Sequence, residues 1–155
     1  MPLKSRNETI VQNRKAKFEY EWIDQYEAGL SLTGTEVKSL RHGKASLQEA
    51  YCTVEKDEAF ILKMNIAEYE QGSYNNHEPQ RKRKLLLKKR EIENLRKGIE
   101  QQGNTIVPIR LFFNDQNLAK LQIALAKGKK IHDKRDSIKE KDIKRDLDRQ
   151  MRKYQ

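Results

Sequence analysis

One cysteine, Cys52, stands in a chain of 155 residues. A lone thiol excludes an intrachain disulfide and a multi-cysteine zinc site. Set among Tyr51, Thr53 and Val54, it reads as a small buried side chain. Apolar runs are short, far below the ~20 residues that span a bilayer. Met1-Pro2-Leu3-Lys4-Ser5-Arg6 leads into polar sequence rather than an apolar signal core. These absences fit a reducing cytoplasm and no membrane partner.

Catalytic signals are also sparse. The three histidines, His42, His77 and His132, fall in separate segments, without the close spacing of a zinc site. Gly43-Lys44 and Gly128-Lys129 lack the upstream glycine and the following hydroxyl of a phosphate-cradling loop. Carboxylates are plentiful but scattered over charged faces. A non-enzymatic protein with no metal and no cofactor is expected. A metal-dependent ribonuclease is the enzyme alternative, because scattered acids can still meet in space.

What the chain has is charge. Asp, Glu, Lys and Arg make up 36% of it, and the net charge is +10; the isoelectric point is near 9.6. Such a balance attracts polyanions, nucleic acid first.

Periodicity divides the chain into a polar segment 1–12, expected to be loose, a domain 13–130 and a charged tail 131–155. Alternation from Lys17 to Ile23 places Phe18, Tyr20 and Trp22 on one face of a strand. Phe18 and Trp22 are expected in the core. A second strand, Glu27 to Leu32, follows a break at Asp24-Gln25-Tyr26. Thr35 is expected to cap a helix from Glu36 to His42, stopped by Gly43. Glu49 to Glu55 and Ala59 to Met64 read as strands flanking a polar turn. Leu85, Leu86, Ile92, Leu95 and Ile99 fit one helical stripe, and Gly103-Asn104 ends it. Thr105 to Phe113 and Leu118 to Ala126 are further strands. The pattern predicts a mostly β protein: a small OB-like antiparallel β-barrel of about six strands with two to three helices. From Lys127 onward basic residues outnumber acidic ones two to one. Ile138, Ile143, Leu147 and Met151 form only a thin apolar stripe there. A tail that is disordered when free and helical when bound is expected.

Three basic clusters point to RNA. Between Tyr69 and Lys84 the aromatics Tyr69 and Tyr74 and the imidazole of His77 can stack on bases. Asn75 and Asn76 can bond base edges or ribose. Arg81, Lys82, Arg83 and Lys84 can meet phosphates. Lys38 and Arg41 share a helix face with each other and lie close in sequence to Lys44. Lys127, Lys129 and Lys130 form the third cluster. Glu36 is a misfit among these cations. It is either an acceptor for a base amine or ribose hydroxyl, or a first-turn acid favoured by the helix dipole.

Several of these segments together resemble the SmpB family of SsrA-binding proteins. They are Asn13-Arg14-Lys15-Ala16, Gly34-Thr35-Glu36-Val37-Lys38-Ser39-Leu40-Arg41 and Tyr69-Glu70-Gln71-Gly72. Asn76-His77 with Pro79, Arg81, Arg83 and Lys84-Leu85-Leu86-Leu87 belongs with them. So do Ala124-Leu125-Ala126-Lys127-Gly128-Lys129-Lys130 and Asp133-Lys134-Arg135. The resemblance implies an OB-like domain bound to the tRNA-like domain of transfer-messenger RNA. That complex is delivered to stalled ribosomes for trans-translation, with the protein monomeric on the RNA. It implies RNA contact by Asn13, Lys15, Glu36, Lys38, Arg41, Tyr69, Asn76, His77, Arg81, Arg83, Lys84, Lys127, Lys129 and Lys130. His132, Asp133, Lys134 and Arg135 would lie at the decoding site of the small ribosomal subunit, against its ribosomal RNA. Ile138, Ile143, Leu147 and Met151 would organise a tail helix in the empty mRNA channel. The alternative is a general ribosome-associated RNA-binding protein or chaperone of the OB type.

Overall fold

The computed structural model describes residues 8–72 and 76–129. In chain order these form β1 (Thr9–Gln12), α1 (Arg14–Glu19), β2 (Tyr20–Leu30), α2 (Gly34–Arg41), β3 (Ala45–Ser46), β4 (Tyr51–Glu55), β5 (Glu58–Leu62), β6 (Asn65–Ile66), β7 (Arg83–Leu86), α3 (Lys89–Ile99), β8 (Asn104–Phe113) and β9 (Ala119–Gly128). Six strands close on themselves in the order β8, β4, β5, β7, β2, β9, with β9 returning to β8. All their pairings are antiparallel. The mostly β, OB-like architecture read from the sequence is the one observed.

The ring is uneven. β2 and β8 each pair with β9 along nearly its whole length. β4 meets β8 at a single position, Cys52 opposite Ile106. Leu47, Ile61, Met64, Leu85, Leu95, Ile106, Leu111, Phe113, Leu121 and Ile123 fill the interior and are almost fully shielded. Burial pushes the Cys52 thiol up, which keeps it protonated and unreactive. A smaller cluster lies on the outer face, where Ala16 of α1 covers Val107, Ile109, Ala124 and Ala126, with Tyr20 and Trp22 packed against it.

Five expectations are corrected. Residues 9–12 are not loose: β1 pairs with the second half of β8. Phe18 is not in a strand or in the core. It lies in α1 and is 40% exposed, because Asn13 ties the chain to Ile109 and Pro108 and turns it into a helix. The supposed break at Asp24-Gln25-Tyr26 is regular strand within one continuous β2, directly after a bulge at Ile23 between Trp22 and Asp24. The bulge absorbs an extra residue while pairing with β9 goes on, and Gln122 Nε2 donates to Gln25 Oε1 across the strands at 2.6 Å. Leu85 and Leu86 end β7 rather than begin a helix, and α3 starts only after Lys88. β9 also runs to Gly128, so Lys127 is a strand residue.

α3 seals the ring where β8 starts and β9 ends. Gly98 lets it approach: a Cβ there would stand 2.3 Å from a terminal methyl carbon of the buried Leu125. Gly98→Ala is expected to destabilise the fold by about 1–2 kcal/mol, the overpacking cost outweighing the gain in helix propensity. Urea denaturation checks this through the midpoint, with the slope unchanged.

Candidate nucleic-acid interface

α2 organises the site. It starts with a capping box rather than with the expected Thr35. Thr33 Oγ1 accepts from the Glu36 amide at 3.4 Å, and Glu36 Oε1 accepts from the Thr33 amide at 2.9 Å. Thr35 instead bonds His77 Nδ1 at 2.9 Å. His77 Nε2 lies 2.8 Å from the Ile66 carbonyl, which can only accept, so Nε2 carries the proton and Nδ1 accepts from the Thr35 hydroxyl. Gly43, at φ 72°, ends the helix as expected.

Glu36 is fully buried, and so is Arg83. Arg83 Nε donates to Glu36 Oε2. Its Nη1 donates to the Met64 carbonyl at 2.6 Å and its Nη2 to the Pro79 carbonyl at 3.0 Å. Arg81 Nη2 donates to Glu36 Oε1 at 2.7 Å and to the Ser31 carbonyl at 3.1 Å. One carboxylate thus joins α2, the 76–83 segment and β7. Burial alone would raise the Glu36 pKa, but the bonds from Arg81, the Thr33 amide and Arg83 outweigh it and hold the carboxyl below its usual range. Burial also lowers the Arg83 pKa, against the opposing pull of Glu36.

A lowered folded-state pKa means that the unfolded chain takes up the proton first. The stabilisation is therefore complete above the ordinary carboxylate range and is lost as pH falls through the depressed value. Melting temperature should drop with acidification across that window. Glu36→Gln, less stable at neutral pH, should show a smaller drop there.

The outer surface of α2 carries Lys38 and Arg41. Lys38 is exposed, its Nζ 5.5 Å from the Tyr69 ring centre. Arg41 sits 5.1 Å from the Phe113 ring centre and donates to Asn117 Oδ1 at 3.3 Å. Asn76 fixes Tyr69 from both sides: Oδ1 accepts from the Tyr69 amide at 3.2 Å and Nδ2 donates to its carbonyl at 2.7 Å. Glu36, Lys38, Arg41, Tyr69, Asn76, His77, Arg81 and Arg83 therefore meet around one helix.

The other expected residues lie elsewhere. Asn13 and Lys15 belong to the α1 corner, where the Asn13 side chain donates to the Pro108 carbonyl at 2.9 Å. The Lys129 amide bonds the Glu19 carbonyl at 2.9 Å, and Lys127 stands opposite Glu21. Lys127 and Lys129 thus lie at the end of β9, next to the junction of α1 and β2. Lys84 stands apart on the outside of β7, 3.5 Å from Glu58. Tyr74, Asn75, Lys130, the residues 132–135 and the tail positions Ile138, Ile143, Leu147 and Met151 lie outside the described residues.

Two features escaped the sequence reading. Leu86 and Leu118, each 52% exposed, line an open groove with Leu32, Val37, Arg41 and Lys120. The run Leu85-Leu86-Leu87 concealed this, since a strand must turn one of two neighbouring leucines outward. His42 stacks beside Tyr69, with ring centres 6.1 Å apart; it drew notice only as one of three scattered histidines.

The model of the SmpB protein family matches residues 10–153. An SsrA-binding protein of Christiangramia forsetii is 49% identical over 149 residues, covering 96% of this chain and 95% of that one. One of Agrobacterium fabrum is 55% identical over 143 residues, covering 92% and 89%. Among solved structures, one described as "tmRNA-SmpB: a journey to the center of the bacterial ribosome" aligns with a TM-score of 0.66 at 46% identity, covering 78% of this chain and 85% of that chain. The chain belongs to the SmpB protein family.

Proposed function

We propose that this protein binds the tRNA-like domain of transfer-messenger RNA and carries it to stalled ribosomes for trans-translation. The observation that carries the reading is the match to the tmRNA-SmpB structure, at 46% identity over 78% of this chain. The work is recognition without bond-making chemistry, and its setting is the cytoplasm, where ribosomes are. Lys38, Arg41 and Arg81 around α2 supply phosphate contacts. Lys15, Lys127 and Lys129 supply more at the α1 corner. Glu36 and Arg83 are buried, so they act by holding this surface in shape. Leu86 and Leu118 offer an apolar strip against sugar and base faces, rimmed by Arg41 and Lys120.

The tail has a separate task in this reading. His132, Asp133, Lys134 and Arg135 reach the vacant decoding site of the small ribosomal subunit. Ile138, Ile143, Leu147 and Met151 order as a helix in the empty mRNA channel. Competition binding tests the first half: the tRNA-like domain should displace unrelated structured RNA, and equal affinity for both would refute it. For six phosphate contacts, log affinity should fall with log salt at a slope of roughly −4 to −5.

A further inference from the structure

We infer that the cleft between His42 and Tyr69 takes one unstacked nucleobase of the RNA, a subsite that rests on the RNA-binding reading above. The cleft measures about 80 Å3 and is lined by Ser39, His42, Lys44, Glu68, Tyr69 and Gln71, together with Glu70. That is well below the ~300–1,000 Å3 of sites that enclose a whole ligand, so a single planar group enters only as the walls part.

Its walls are aromatic. The rings of His42 and Tyr69 stand 6.1 Å apart, centre to centre, inclined by 28°. A base slotted between two rings needs twice the stacking distance of ~3.4 Å, so the two walls must part before the pair becomes a sandwich. His42 is exposed and has room to move. Tyr69 does not: Asn76 bonds its amide and carbonyl, the Gly72 amide bonds the same carbonyl at 2.8 Å, and its hydroxyl donates to Gln71 at 3.0 Å. One wall is anchored and the other is adjustable.

The charge of the cleft favours a base over a phosphate. Lys44 is already paired with Glu70 at 2.7 Å, which lowers the Glu70 pKa. Glu68 adds a second carboxylate. On a chain of net charge +10 this is a place that repels a phosphate yet can accept hydrogen bonds from base amines. Lys38, beside the Tyr69 ring, stands ready for the phosphate of the same nucleotide.

The test measures binding of the full chain to the tRNA-like domain across a salt series, for wild type, Tyr69→Phe, Tyr69→Leu and His42→Ala. Tyr69→Leu and His42→Ala should bind about 5- to 100-fold more weakly. Their salt slopes should equal that of the wild type, because no phosphate contact is lost. Tyr69→Phe, which keeps the ring, should bind within about twofold of wild type. Undiminished binding by Tyr69→Leu and His42→Ala overturns the subsite, as does a reduced salt slope or equal losses for Phe and Leu at position 69. If wild type shows no preference for the tRNA-like domain, the failure belongs to the RNA-binding reading itself. Thermal melts of each variant, matched to wild type, keep folding out of the comparison.

Discussion

Arg83→Met should lower the stability of the fold by about 3–5 kcal/mol, because it strips a fully buried carboxylate of its fully buried partner. Methionine keeps much of the aliphatic volume, so the loss is not one of packing. For a folded unit of this size the melting temperature should fall by about 10–20 °C. The Met64 and Pro79 carbonyls would lose their donors in the same step. Adding Glu36→Leu should recover part of the loss, since the second change removes the stranded charge. If the double variant melts no higher than Arg83→Met, the two residues are not coupled as argued. RNA binding by Glu36→Ala should weaken chiefly through the unfolded fraction. Affinity per folded molecule, measured well below the melting temperature, separates that effect from a lost contact.

The second large effect concerns activity. Removing residues 136–155 should leave RNA affinity within about twofold of wild type while tagging of stalled nascent chains falls to background. The described ring closes and fills its interior with residues up to Leu125, so its melting temperature should hold. Lys134→Ala with Arg135→Ala should behave in the same way. Gel-shift binding and a reconstituted translation assay on truncated message read the two quantities independently. A parallel loss of RNA affinity would refute the division of labour between ring and tail.

Much of this was legible in the residues. The α2 segment carries its stop in Gly43 and its apolar anchor in Leu40. β4, β5, β8 and β9 show the expected runs between turns. The turn at Lys56 and Asp57 was found, although both adopt positive φ without being glycine. What failed was local. Over three alternating aromatics, a helix followed by a strand looks like one strand, and only the tie from Asn13 to Ile109 decides it. A bulge cannot be told from a turn without its partner strand, so β2 was split at Asp24. The site was legible as a list of residues but not as an arrangement. Glu36 was rightly picked out as a misfit among cations. Its partners Arg81 and Arg83 lie 45 and 47 positions away, a distance that no local pattern spans. The first-turn reading of Glu36 fits the capping box, and burial adds what the sequence did not suggest: its charge faces inward.

The single paired position between β4 and β8 gives the ring a natural place to part. Every other junction of the closed circuit is held by at least two paired positions. Breathing should begin at that seam, and the only sulfhydryl of the chain sits on it. Thiol labelling would therefore time the first opening of the ring without an engineered reporter, and bound RNA that braces the circuit would slow that clock.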